Sequence, residues 1–183
     1  MLRMPDNKVQ YLVGKSDGVF SARPLVPYNE LACKFLNSLS AALLSDKVAK
    51  LYPDIISFAY WCRKANIARL KREFAETHAR LGLGMVFHIT PSNVPINFVF
   101  SYAFSLLAGN ANIVRVPTKD FPQTSVVCRV INRLFANAKY KKIAEMTVFV
   151  RYQQNDEITG TFSGNCNARF IWGGIRQSII SGS

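Results

Sequence analysis

Residues 88–98 read HITPSNVPINF and place Asn93 between Pro91 and Pro95. A primary amide held in a short, proline-bounded loop can donate a hydrogen bond to an oxygen that gains charge as a carbonyl reacts. Pro95 suits the first turn of a helix, where a missing N–H costs nothing, so Asn93 is expected just ahead of a helix N-terminus. The partial positive charge at that end would favour the same developing oxyanion. An Asn in this position can instead cap the helix or close an Asx turn, and the local residues by themselves favour that ordinary role.

Two further segments invite the same question. MVFHI (85–89), NIVRV (112–116) and ARFIW (168–172) are apolar runs that read as strands, and they are followed by TPSNVP, PTKDFP and Gly173–Gly174. In open parallel sheets ligands bind beyond the carboxyl ends of the strands, so all three segments are expected on one edge. Gly173 and Gly174 lack side chains and would let a phosphate or a nicotinamide approach the backbone, although a lone Gly-Gly is more often a simple turn. No GxGxxG follows a strand and no Walker A sequence is present; GLG at Gly82–Gly84 precedes a strand, the wrong side for a phosphate loop. The four cysteines, Cys33, Cys62, Cys128 and Cys166, form no CxxC pair and have no His at ligand spacing. That argues against zinc and against a disulfide framework, and favours buried free thiols.

Composition narrows the class. With 183 residues, 49% of them hydrophobic, the chain can bury the core of one ordinary domain. The net charge of +12 attracts something anionic: nucleic acid, a membrane face or a phosphate-rich small molecule. The longest apolar region, 94–108, is interrupted by Asn97, Ser101 and Ser105 and falls short of the roughly 20 residues a spanning helix needs. The polar N-terminus MLRMPDNKVQ carries no apolar signal segment, so the cytoplasm is the default location.

The elements that must position these residues follow from periodicity and breakers. VQYLV and VFSARPL flank GKSDG and suggest a β-hairpin. A helix is expected over 29–44, with Leu31, Phe35, Leu39 and Leu43 on one face. A second is expected from Asp54, as N-cap, to about Leu81. Its basic residues Arg63, Lys64, Arg69, Lys71 and Arg72 are the best candidates for a nucleic-acid surface, but no aromatic platform or helix-turn-helix signature accompanies them. A solvated helix face is the preferred interpretation. From Gly82 the texture becomes strand and helix in alternation, with helices over 95–108 and 122–137, a strand at 146–150, and a short polar crossover before the strand at 168–172. Alternation of this kind predicts a parallel sheet with right-handed crossovers. The expected architecture is α/β, with a hairpin and helical lead-in over 1–81 and a Rossmann-like nucleotide-binding domain over 82–183 whose final helix is cut short.

Three ordered segments, GLGMVFHITPSNVPINF, LLAGNANIVRVPTKDFPQTS and ARFIWGG, resemble the cofactor-domain motifs of the aldehyde dehydrogenase superfamily. That pattern is a strand ending in Pro-Trp-Asn-hydrophobic-Pro, then Ala-Gly-Asn before a strand ending in Lys-Pro-Ser, then a strand running into Thr-Gly-Ser. Here Ser92 replaces the Trp, Arg115 the Lys, and Trp172 and Gly174 the Thr and Ser. These departures resemble the acyl-CoA reductase branch, the long-chain fatty-acyl reductase type of bacterial luminescence. The match covers about residues 80–175 clearly and the helical lead-in more loosely.

The resemblance implies a role for each matching residue. Asn93 would help to hold the thioester oxyanion. Thr90, Pro91 and Ser92 would line the nicotinamide side. Arg115 would meet the adenosine ribose, where a guanidinium also suits a 2′-phosphate and favours NADP over NAD. Thr118 and Lys119 would close over the adenosine, and Gly173 and Gly174 would meet the pyrophosphate. His88 is expected to be a packed strand residue. The family reaction passes an acyl group from an acyl-CoA or acyl-carrier thioester to a cysteine thiolate and then delivers hydride from the nicotinamide. That cysteine belongs to a separate catalytic domain, and none of the four here lies in a matching context. The resemblance therefore implies a cofactor-binding portion, inactive by itself, of a protein that is oligomeric in full; a non-catalytic basic module binding nucleic acid through residues 54–81 is the alternative. No metal is expected.

Overall fold

The computed structural model describes residues 8–15, 19, 22–74 and 80–172. Its core is a five-stranded mixed sheet of β1 (Gln10–Val13), β2 (Met85–Ile89), β3 (Ala111–Arg115), β4 (Thr147–Arg151) and β5 (Ala168–Ile171), in the order β1-β4-β3-β2-β5. Strands β2, β3 and β4 are buried on both faces, which explains why they read as unbroken apolar runs rather than as an alternation. Each becomes partly exposed at its last residue, Ile89, Arg115 and Arg151, so the carboxyl edge is where the sheet opens to solvent.

The four strands from β2 to β5 are parallel and register Ile89 with Arg115 on one side and with Ile171 on the other. The chain steps outward from β2 to β3 to β4, then returns to set β5 on the far side of β2. The neighbours of β2 are thus reached in opposite directions, which makes the gap between the ends of β2 and β5 a topological switch point. The expected Rossmann-like α/β sheet is present.

Helices α1 (Glu30–Ser45), α2 (Pro53–Trp61), α3 (Lys64–Glu73), α4 (Asn97–Leu107), α5 (Pro122–Phe135), α6 (Lys141–Glu145) and α7 (Asp156–Gly164) cover the sheet. Side chains at successive strand positions point to opposite faces. His88 bonds Ser101 of α4 while Phe87 packs on Phe162 of α7 at 5.3 Å, so α4 and α7 lie on opposite faces. Tyr102 of α4 packs edge-on against Phe149 at 5.1 Å and bonds Thr147 through its hydroxyl. Helix α1, capped by Asn29 on the Leu31 N–H, buries Phe35, Leu36, Leu39 and Leu43 completely. Phe35 meets Phe135 of α5 at 5.2 Å, and Phe58 of α2 meets Phe100 of α4 at 4.9 Å. The helical lead-in and the sheet domain therefore share one hydrophobic cluster.

Three local expectations are corrected. Strand β1 pairs antiparallel with β4 instead of forming a hairpin, and residues 22–26 carry no strand; residues 20 and 21 of the expected second arm lie outside the described residues. A lone two-stranded hairpin is marginal in water, whereas joining the larger sheet buries Val13. The single helix expected over 54–81 is two helices, broken at Arg63, whose backbone is extended. Asn37 of α1 accepts from the Lys64 N–H at 2.9 Å, and Asn66 donates to the Trp61 carbonyl, so the groups freed by the break are satisfied by side chains. The short polar crossover before β5 is helix α7, capped by Asn155 on the Ile158 N–H.

At the amino edge of the sheet two glycines are required by geometry. Gly109 has φ +89°, and a Cβ there would collide with the Leu25 carbonyl. Leu25 donates to the Gly109 carbonyl and accepts from the Gly82 N–H, so the chain at Leu25 is strapped between GLG and Ala-Gly-Asn. Gly84, at φ +114°, leaves room for Asn167, whose Oδ1 accepts from the Met85 N–H at 2.8 Å. GLG is thus a packing device on the edge opposite the candidate site.

Candidate functional site

The loop after β2 is anchored at both ends and open between them. Thr90 Oγ1 donates to the Arg115 carbonyl at 3.0 Å, tying the loop to the end of β3. The Pro95 carbonyl accepts from Thr124 Oγ1 of α5 at 3.3 Å. Between these anchors Ser92 and Asn93 are exposed in a turn, with Pro91 half-buried. The Asn93 side chain makes no hydrogen bond to any described residue. Helix α4 starts at Asn97, later than the expected 95, because Ile96 is non-helical at φ −123° and ψ 9°; no side chain caps it. Asn93 therefore neither caps the helix nor sits against its N-terminus, whose field fades within a turn. What it offers is the amide itself.

Beyond β3, Val116 and Pro117 are buried, Thr118 is half-buried, and Lys119 and Asp120 are exposed. The Arg115 guanidinium lies over the Tyr152 ring at 4.4 Å and reaches the Tyr152 carbonyl at 3.4 Å. Tyr152 is itself held by its hydroxyl against Thr159 of α7. Lys119 Nζ lies 5.2 Å from the Phe121 ring centre. Asp120 is the one carboxylate in this loop, and Arg151 at the end of β4 engages it at 3.1 Å. The end of β3 thus presents cations on aromatic supports, with its carboxylate already paired.

On the other side of the switch point, the Trp172 backbone N–H continues the ladder to the Ile89 carbonyl at 2.9 Å. Its indole N–H donates to Ser101 Oγ of α4 at 2.9 Å. Gly173 and Gly174 lie outside the described residues. His88, directly beneath, is fully buried; burial pushes its pKa down to about 4, against a smaller opposing effect of the Asn112 hydrogen bond. It is neutral at ordinary pH and packed, as expected for this strand position.

None of the four cysteines has the surroundings of a nucleophile. Burial raises the pKa of Cys33, Cys62 and Cys166 and pushes Cys128 up to about 12, whereas reactive thiols have theirs lowered. Cys166 comes before β5, at the amino edge. Of the basic cluster, Arg63 sits at the break, over the Tyr60 ring, while Lys64, Arg69, Lys71 and Arg72 all lie on α3, where Arg69 is paired with Glu73. Among the described residues no cluster of His, Cys, Asp and Glu could hold a metal ion, and no helix is long and apolar enough to cross a membrane.

The structure brings Thr90, Arg115 and the loop around Asn93 to one edge, and adds side chains that sequence reasoning passed over. In the sequence Ser101 and Ser105 only interrupt an apolar run; in the structure Ser101 holds Trp172 and Ser105 bonds Asn110. Trp172, in the sequence a departure from Thr, is in the structure a ring at the carboxyl edge. A hydroxyl recurring in a buried apolar helix was the signal that could have found this link.

Gathered at the carboxyl edge are the Asn93 amide, which bonds no described residue, the cations Arg115 and Lys119, and the Trp172 ring, a donor set that fits an anionic ligand with flat rings. No curated protein and no solved structure matches the chain. The family model described as acyl-CoA reductase (LuxC) matches residues 38–182, a span that includes Asn93, Arg115 and Trp172. Such a reductase takes an acyl thioester and draws on a nicotinamide cofactor. The chain belongs to the acyl-CoA reductase (LuxC) family.

Proposed function

We propose that residues 82–172 hold the dinucleotide of a long-chain acyl-CoA reductase, with NADPH preferred over NADH, and that Asn93 donates to the thioester carbonyl as charge develops on its oxygen. The observation that carries the cofactor preference is the end of β3. A Rossmann site specific for NADH places a carboxylate near there to bond the ribose 2′-hydroxyl, whereas an Arg accommodates a 2′-phosphate. Here Arg115 and Lys119 stand in that region and the nearby carboxylate, Asp120, is engaged by Arg151.

The bound dinucleotide would supply hydride to the carbonyl carbon. The protein's part is positional: Thr90 fixes the loop against β3, the Pro95 carbonyl fixes its far end, and the Asn93 amide faces solvent between them. A donor fixed in advance stabilises an oxyanion without reorganising. Because burial holds all four described thiols protonated, we propose that none accepts the acyl group and that this chain alone does not turn over.

Calorimetric titration with NADPH and NADH tests this proposal. Tighter binding of NADPH, with the preference lost in Arg115→Gln by about tenfold, is the expected result. Equal affinity for both dinucleotides, unchanged by the substitution, would remove Arg115 from the site. Aldehyde formed by the purified chain from NADPH and a long-chain acyl-CoA would overturn the proposed inactivity.

A further inference from the structure

A directed hydrogen-bond relay runs from the buried centre of the sheet to the indole at the switch point. Asn112 Nδ2 donates to the Asn110 carbonyl at 2.8 Å, so Asn112 Oδ1 is the atom that meets His88 Nε2 at 3.0 Å. An amide oxygen only accepts, so His88 Nε2 carries the proton and Nδ1 is left as an acceptor. Ser101 Oγ lies 2.7 Å from Nδ1 and must donate to it. With its hydrogen so committed, Ser101 Oγ accepts from Trp172 Nε1 at 2.9 Å. All the intermediate groups, Asn112, His88 and Ser101, are at most 3% exposed.

The terminus of this relay is not buried. Trp172 is 41% exposed, yet both its N–H groups are engaged, one to Ile89 and one to Ser101. Ordering a large exposed ring costs side-chain freedom, and the buried polar groups that order it would be costly if left unsatisfied. An exposed ring without a role would more simply be left to rotate. Its place at the end of β5 also matters. The two halves of a doubly wound sheet each take one mononucleotide, and the half with the ribose contact at the end of its second strand takes the adenosine. Here that half is β2-β3-β4, with Arg115 at the end of β3. The half beginning with β5 then faces the other ring of the dinucleotide.

We infer that Trp172 is a fixed aromatic platform on which the nicotinamide ring of the dinucleotide stacks, and that Ser101 and His88 are positioning residues that set its orientation. The inference rests on the cofactor reading above and adds an aromatic side chain to the nicotinamide half of the site. Flat heteroaromatic rings stack well on an indole face, and a platform already ordered gives up less entropy when the ring arrives.

The chain has two tryptophans, so in the full chain carrying Trp61→Phe the emission reports Trp172 alone. Binding is measured for NADPH or NADH, whichever is tighter, and for the matching adenosine diphosphate fragment that lacks nicotinamide. Trp172→Ala is expected to weaken the dinucleotide about tenfold and to leave the fragment unchanged, with Trp172→Phe, which keeps a ring but loses the N–H to Ser101, falling between Trp172→Ala and the parent. Ser101→Ala, which deletes one oxygen and is the milder variant for folding, is expected to lower the emission anisotropy of Trp172 and weaken the dinucleotide about threefold to tenfold, again sparing the fragment. Ser101→Thr, which keeps the hydroxyl, should restore both. Dinucleotide affinity within twofold of the parent in Trp172→Ala overturns the platform while the cofactor reading stands. Equal loss of dinucleotide and fragment makes Trp172 merely structural and also overturns it. Absence of any dinucleotide binding by the parent chain removes the cofactor reading and the platform together.

Discussion

The two edges of one sheet are built from similar residues and end in opposite conditions. At the amino edge Asn110 Oδ1 accepts from the Leu83 N–H, Asn167 Oδ1 accepts from the Met85 N–H, and Gly109 admits the Leu25 backbone to close contact. At the carboxyl edge Asn93 bonds no described residue, and Lys119 and Trp172 are exposed. The same carboxamide is a structural bracket at one end and, at the other, a donor that no described residue engages. A folded chain satisfies its polar groups wherever burial would otherwise penalise them. Donors left open on an anchored loop are therefore informative where loop asparagines in general are not.

The largest effect expected from this contrast is at Gly109. Gly109→Ala combines φ +89° with a collision against the Leu25 carbonyl and should lose about 2–4 kcal/mol in denaturant unfolding. A loss below about 0.5 kcal/mol would show that the amino edge is not tightly closed.

Next comes acid. His88 is depressed from 6.5 to about 4 by burial, so the unfolded chain binds a proton that the folded chain refuses. Stability is full above pH 6.5 and declines as the pH falls toward 4, by on the order of 3 kcal/mol. A stability profile flat across that window, or one with the same slope in His88→Asn, would contradict the buried neutral imidazole.

Smaller again is Asn167→Ala, which strips the acceptor from the Met85 N–H and should cost about 1–3 kcal/mol. Smallest is Asn93→Ala, within about 0.5 kcal/mol of the parent in stability, since nothing described depends on that amide. Equal losses in these two variants would erase the distinction between the edges.

Much of the fold was legible in order of burial. Runs such as MVFHI and MTVFV are apolar at every position because parallel strands are covered on both faces, and α1 has a capping Asn and four leucine or phenylalanine positions at spacing four. Helix α7 was harder. Its DEITGTFSG carries two glycines and two threonines, poor helix formers, and it forms because Asn155 caps it and Ile158 and Phe162 bury against the sheet. The break at Arg63 had no local sign, since the acceptor that permits it, Asn37, belongs to another helix.

At the candidate site, the ends of the strands and the order of three motifs point to Asn93, Thr90 and Arg115, which the fold places on one edge. The sequence alone puts Asn93 too near the helix because Pro95 looks like a first-turn residue, and only the dihedral angles of Ile96 move the start to Asn97. The chemical repertoire, an amide between prolines and cations after strands, is written in one dimension because strand ends are local. Which donors no described residue engages, that Asp120 is already taken, and that a serine in α4 orients a tryptophan after β5 depend on groups brought together across 31 and 71 residues of chain. Satisfaction of a polar group is a property of its neighbours in space, and tertiary packing alone selects those neighbours.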